Sequence, residues 1–92
     1  PVAARLRQAR VDGARRGRYT RMAVRALLGL SAVAARQGIP ENAYRFHRYA
    51  LACAPDDRTL TLQAAELASA TEREWEAAAL FTRALTLGDI PA

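Results

Sequence analysis

From Tyr19 onward, apolar and small residues recur every three or four positions in four stretches. That spacing gathers them on one side of an α-helix. In "YTRMAVRALLGLSAVAARQG", Met22, Ala26, Leu27, Leu30, Val33 and Ala34 form the predicted inner face. Gly38 is placed to end that helix, since glycine tolerates left-handed backbone angles. Pro40 suits the first turn of the next helix, where its missing N–H is no loss, and Glu41 favours that positive helix end. The second helix is predicted from about Pro40 to Ala54, with Ala43, Phe46, His47, Ala50 and Leu51 inward. Pro55-Asp56-Asp57 breaks it, and Asp57 is placed to cap "RTLTLQAAELASA", whose inner residues are Leu60, Ala64, Leu67 and Ala68. Thr71 and Glu74 have the spacing of a capping box. The last helix is predicted over about Arg73–Leu87, with Ala77, Leu80, Phe81, Ala84 and Leu85 on one side and Gly88 and Pro91 ending it.

Residues 1–16 are weaker. Val2, Leu6 and Ala9 make a poor apolar face, Gly13 follows, and Gly17 marks a break or at least a weak point in the helix. The expected organisation is therefore an Arg-rich helix or arm over 1–18, a helix–turn–helix hairpin over 19–57, and a second hairpin over 58–92. Strand signals are weak: β-branched residues are few and no Asn-Gly or Asp-Gly turn occurs. The fold class is all-α. Although 51% of the residues are hydrophobic, aromatics are only 7% and alanine is abundant, so close-packed helices with small residues at their crossings suit the chain better than a thick core.

The two hairpins repeat each other. Ala43, Ala50 and Leu51 match Ala77, Ala84 and Leu85 thirty-four residues on. This pattern, Ala43-x3-His47-x2-Ala50-x4-Pro55 and again Ala77-x3-Phe81-x2-Ala84, resembles the tetratricopeptide repeat. The likeness covers about Val24–Pro91. Where the family carries Leu-Gly and then Tyr in its first helix, this chain has Leu30-Ser31 with Ala34, and Ala64-Ala65 with Ala68. Gly38 holds the family's turn glycine, Glu72 stands there in the second copy, and Trp75 falls one place after the usual aromatic. The resemblance implies antiparallel hairpins stacked as a short solenoid. Ala43, Ala50, Ala77 and Ala84 would be its close-contact points, and Phe46, Tyr49, Leu80 and Phe81 its fillers. Trp75 is expected to cover the end of its hairpin, the alternative being exposure toward a neighbouring repeat. Tyr44 is either packed or on the convex surface.

The resemblance further implies a non-catalytic scaffold or adaptor whose concave groove binds a partner protein's peptide or helix, the chain standing as a module by itself, as a segment of a longer solenoid packed on further repeats, or as a subunit of a larger assembly. Its groove positions are Arg25, Leu28, Ala32 and Arg36 in the first unit, and Thr59, Leu62, Gln63, Glu66 and Ser69 in the second. The subfamily that clamps a C-terminal carboxylate uses Lys and Asn at several of these places. Leu28 and Ala32 here imply instead an apolar ligand segment, flanked by acidic residues that meet Arg25 and Arg36.

Charge supplies the competing reading. The net charge is +5, and all fourteen basic residues are Arg. Eight lie in the first 25 residues, where only Asp12 opposes them. Arg5, Arg7, Arg10, Arg15, Arg16, Arg18 and Arg21 are candidates for binding phosphate backbones or an acidic surface. Tyr19 is the one aromatic among them, so stacking on single-stranded bases is poorly supplied. The Ala- and Arg-rich composition points to a GC-rich bacterial genome, and the start at Pro1 to a processed or excised chain; the compartment stays open.

Chemistry finds little footing. His47 is the only histidine and replaces a core Phe of the repeat; it is expected to be structural. Cys53 is the only cysteine, so the chain has no internal disulfide, and its place near a helix C-terminus disfavours a thiolate. Asp56 and Asp57 lack Ca²⁺-loop spacing, and Glu72, Arg73, Glu74 and Glu76 read as a solvated turn. No metal or other cofactor is expected. No apolar run approaches membrane-spanning length.

Overall fold

The computed structural model describes residues 2–88, and these form four α-helices: α1 (Val2–Arg36), α2 (Pro40–Cys53), α3 (Arg58–Ala70) and α4 (Glu74–Leu87). There is no strand among the described residues. Helix packs on sequential helix: α1 on α2, α2 on α3, α3 on α4. The protein is thus all-α, two helical hairpins side by side.

The first helix departs from expectation. It runs unbroken through Gly13 and Gly17, so residues 18 and 19 lie within one element and Gly17 breaks nothing. A helical glycine costs only about 1 kcal/mol, and this stretch is otherwise rich in Ala and Arg, both strong helix formers. Packing, however, is confined to its second half. Val24, Leu27 and Leu28 lean on the core, and Ser31 and Ala34 are buried. The partner, α2, has 14 residues, about 21 Å of helix, and so covers less than half of the 35-residue α1. The protruding half makes the molecule long, 55 × 35 × 21 Å, with a radius of gyration of 16.4 Å. A compact chain of this length would have about 12 Å.

Three backbone hydrogen bonds recur in both hairpin turns. Gln37 N–H donates to Val33 O at 3.0 Å, and Thr71 to Leu67 O at 3.0 Å. Gly38 N–H donates to Ala35 O, and Glu72 to Ser69 O; Ile39 N–H donates to Ala34 O at 2.9 Å, and Arg73 to Ala68 O at 2.8 Å. Each bond has its twin thirty-four residues away. The reach from Ile39 to Ala34, and from Arg73 to Ala68, is the Schellman closure of a helix end, which needs a left-handed residue. Gly38 supplies it with φ 74°, and Glu72 with φ 62°.

The other ends follow the predictions in part. Asp57 caps α3, accepting from Leu60 N–H at 3.0 Å. The capping box at Thr71 does not form. Its hydroxyl turns back and donates to Leu67 O at 2.8 Å, finishing α3, while Arg73 is the N-cap of α4 with no side-chain bond. Gly88 follows α4, where a Cβ would collide with the Arg58 side chain; Arg58 Nε donates to Ala84 O. Pro91 lies outside the described residues.

The core is built of alanine. Ala43, Ala50, Ala64, Ala65, Ala68, Ala77 and Ala84 are buried at the crossings, with Tyr44, Leu51, Leu60 and Leu80 between them. Among the expected fillers Leu80 is buried and Phe46 half-buried, but Tyr49 and Phe81 are exposed. Also exposed, against expectation, are Met22, Ala26, Leu30, Val33 and Leu85. Among the described residues no further helix lies over the faces they occupy. Trp75, expected to cover its hairpin, is 91% exposed.

Candidate functional site: a groove between α1 and α3

Because α1 and α3 both lean on α2 and not on each other, a groove of about 570 Å³ opens between them. Its walls come from residues spaced i, i+3, i+4, i+7 on each helix: Leu28, Ser31, Ala32 and Ala35 on α1, and Gln63, Glu66, Leu67 and Ala70 on α3. Ala43 and His47 of α2 complete the lining. Small side chains keep it open, and the lining is mainly apolar. Glu66 is the one charged side chain lining it among the described residues.

A polar chain lies at its base and ties three helices together. Ser31 Oγ donates to Ala43 O at 2.9 Å, His47 Nδ1 lies 3.4 Å from Ser31 Oγ, and His47 Nε2 is 3.0 Å from Gln63 Oε1. The serine's only proton is already directed at the carbonyl. We therefore assign the imidazole as neutral, with Nε2–H donating to Gln63 and the Nδ1 lone pair facing the serine oxygen, which accounts for the longer contact. Burial lowers the His47 pKa, and the bond to Gln63 opposes that shift. Where a Ser–His pair in hydrolytic chemistry has a carboxylate behind the ring, this ring has an amide.

The predicted groove residues divide. Leu28, Ala32, Gln63 and Glu66 line the groove. Arg25 does not. It lies in a second depression of about 400 Å³ with Thr20, Arg21, Val24, Leu28, Ala54 and Asp57. Arg36 is the exposed last residue of α1, Leu62 is half-buried outside the lining, and Thr59 and Ser69 are exposed. The groove side of each helix is thus rotated slightly from the predicted one. Ser31, Ala35, His47, Leu67 and Ala70 were missed, although they continue the helical spacing from Leu28, Ala32, Gln63 and Glu66.

A second polar cluster joins the two hairpins beside the groove. Tyr44 O–H donates to Glu76 at 2.5 Å, the Arg73 guanidinium stands 4.9 Å above the Tyr44 ring centroid, and Arg73 also pairs with Glu41. Burial, then the bond to Glu76, pushes the Tyr44 pKa up to about 12. Tyr44 is therefore a packed residue, and Arg73 and Glu76 are not merely a solvated turn. Their partners are thirty-two residues away, beyond the reach of any local pattern.

Arg5, Arg7, Arg10, Arg15, Arg16, Arg18 and Arg21 are all exposed on α1. At about 100° per residue they surround the helix and leave one narrow side, Val2-Leu6-Ala9-Gly13, without charge. Cys53 is exposed at the end of α2. No cluster of three metal-ligating side chains occurs among the described residues, and no helix there is long and apolar enough to cross a membrane. Compared with family models, curated proteins and solved structures, the chain matches none.

Proposed function

We propose that this chain is a non-catalytic interaction module of tetratricopeptide type, a scaffold or adaptor whose groove receives a segment of a partner protein. The groove between α1 and α3 carries the reading: it is open and mainly apolar, and Gln63, whose side-chain oxygen is held by His47, keeps its amide N–H groups to orient a ligand backbone. The turn bonds that recur every thirty-four residues support the repeat assignment. With Glu66 as the charged lining residue, the fitting ligand is an apolar segment bearing a Lys or Arg, rather than the acidic-flanked one predicted from Arg25 and Arg36. Selection of displayed peptides on the purified chain tests this. Selected peptides should share apolar residues with a basic one and lose binding to Leu28→Glu and Ala32→Glu variants that keep the parent's circular dichroism. Binding indifferent to both variants would remove the groove from the function.

One observation favours a second reading. The arginines before Tyr19 lie exposed on the half of α1 that no other described element covers, where they can meet a polyanion. Fluorescence anisotropy with a labelled DNA duplex checks this: phosphate binding should weaken steeply from low to physiological salt. Peptide binding in the groove should change little.

A further inference from the structure

The junction between the hairpins, α2 against α3, is one interface with two unlike sides. On the α2 side Tyr44, His47 and Leu51 are buried; on the α3 side Leu60 and Ala64 are buried and Gln63 holds His47. Each side recurs thirty-four residues away with no described element over it. Counting forward from α2 gives Ala78, Phe81 and Leu85 on α4, all exposed. Counting back from α3 gives Ala26, Gly29 and Leu30 on α1, also all exposed. One end of the molecule therefore carries the α2-type side of its own internal interface, and the other end carries the α3-type side.

We infer that a second copy of this chain stacks head to tail on the first, its α1 covering α4 as α3 covers α2. The pairings that this operation brings together complement each other. In the internal interface Glu41 pairs with Arg73. The equivalents are Trp75 and, thirty-four before Arg73, Ile39. Both are exposed, at 91% and 42%, and the ion pair has become an apolar pair on both sides at once. His47 meets Gln63 internally; the equivalents are Phe81 and Gly29. A bulky ring faces a residue with no side chain, and a Cβ built on Gly29 finds no atom within 4 Å. No charge of either sign stands among Ala26, Gly29, Leu30, Ile39, Trp75, Ala78, Phe81 and Leu85, so nothing charged is desolvated without a partner.

A contact between unlike surfaces does not close on itself as a two-fold dimer does. Each added copy again presents a free end, so the product is an open stack or a ring. Stacking also extends the peptide groove: α3 of one copy and α1 of the next stand as α1 and α3 do within one. This surface is separate from the groove, so its failure leaves the groove reading intact.

Sedimentation of the nuclease-treated full chain over a rising concentration series provides the test. The parent should form a size ladder. Leu85→Glu spoils the α4 end, and Gly29→Arg fills the seat for Phe81 while raising helix propensity, so loss of assembly there is not loss of folding. Each variant alone should remain a monomer. Mixed, they should give a dimer and nothing larger, since one variant keeps only its α1 end and the other only its α4 end. In a Cys53→Ser background, Trp75→Cys combined with Ile39→Cys should cross-link into a ladder with a bis-maleimide reagent long enough to replace the two side chains. A parent that stays monomeric at every concentration, a variant that still assembles alone, or a mixture that gives no dimer would each overturn the proposal.

Discussion

Leu51 and Leu85 occupy matching places in α2 and α4, thirty-four residues apart, yet Leu51 is 8% exposed and Leu85 69%. His47 and Phe81 differ in the same direction. The helices are equivalent in length and spacing; what differs is that α3 lies over that face of α2, while no described element lies over the matching face of α4. Burial in a stacked-helix protein is therefore a property of position in the stack, not of the residue. The polar residue of the second pair, His47, is the buried one, held by Ser31 and Gln63, while the aromatic Phe81 is left outside. Hydrophobicity alone would have ordered that pair the other way.

The sharpest way to break this comparison is truncation at the matched leucines. Leu51→Ala should destabilise the fold by about 2–5 kcal/mol, as for buried leucines generally. Leu85→Ala should stay within about 0.5 kcal/mol for the monomer. Urea unfolding of both variants at low protein concentration measures the difference, and equal effects would mean that α4 is covered within the monomer. Next come the alanines, where the two hairpins should behave alike. Ala50→Leu and Ala84→Leu overpack equivalent crossings and should each cost about 1–3 kcal/mol, read in the same way.

Smaller still is the contrast between the turns. Gly38 and Glu72 hold the same left-handed conformation, which strains only the residue with a side chain. Glu72→Gly should raise stability by about 1 kcal/mol, and Gly38→Ala should lower it by a similar amount. Opposite shifts in thermal midpoint are the expected result.

The fourth effect depends on pH. His47 has a lowered pKa, so the fold favours its neutral ring. Its contribution is whole above the ordinary value of 6.5 and is lost as pH falls through the lower folded value. His47→Phe should remove that part of the acid-side decline, seen as a parent-minus-variant difference that shrinks below neutrality. Tyr44 works in the opposite sense. Its contribution is whole below the ordinary 10.0 and is lost as pH rises through about 12. Tyr44→Phe should flatten the alkaline limb.

Much of this architecture is legible in the sequence. The four helical segments, the cap at Asp57, the stops at Gly38 and Gly88, and the small residues at Ala43, Ala50, Ala77 and Ala84 all express local backbone preference or a three-to-four spacing. The groove was legible in outline through Leu28, Ala32, Gln63 and Glu66. Its rotation away from Arg25, Arg36 and Leu62 was not, because the angle at which two helices cross depends on every side chain between them. The unbroken course of α1 is not legible at Gly17, where about 1 kcal/mol against the helix is outweighed by the Ala and Arg around it. The partners of Tyr44, Arg73 and Glu76 were invisible, since they join across the two hairpins.

What the sequence determined by itself is therefore the repeating element: a helix pair with alanine crossings, a period of thirty-four residues and a basic leading segment. These depend on neighbours within a turn or two of the chain. The tertiary structure alone decided which faces are covered, that a histidine and a glutamine tie α2 to α3 beside the groove, and that Trp75 and Leu85 stand bare. Those outcomes depend on how many helices there are to stack and in what order, and no local spacing along a single helix records that.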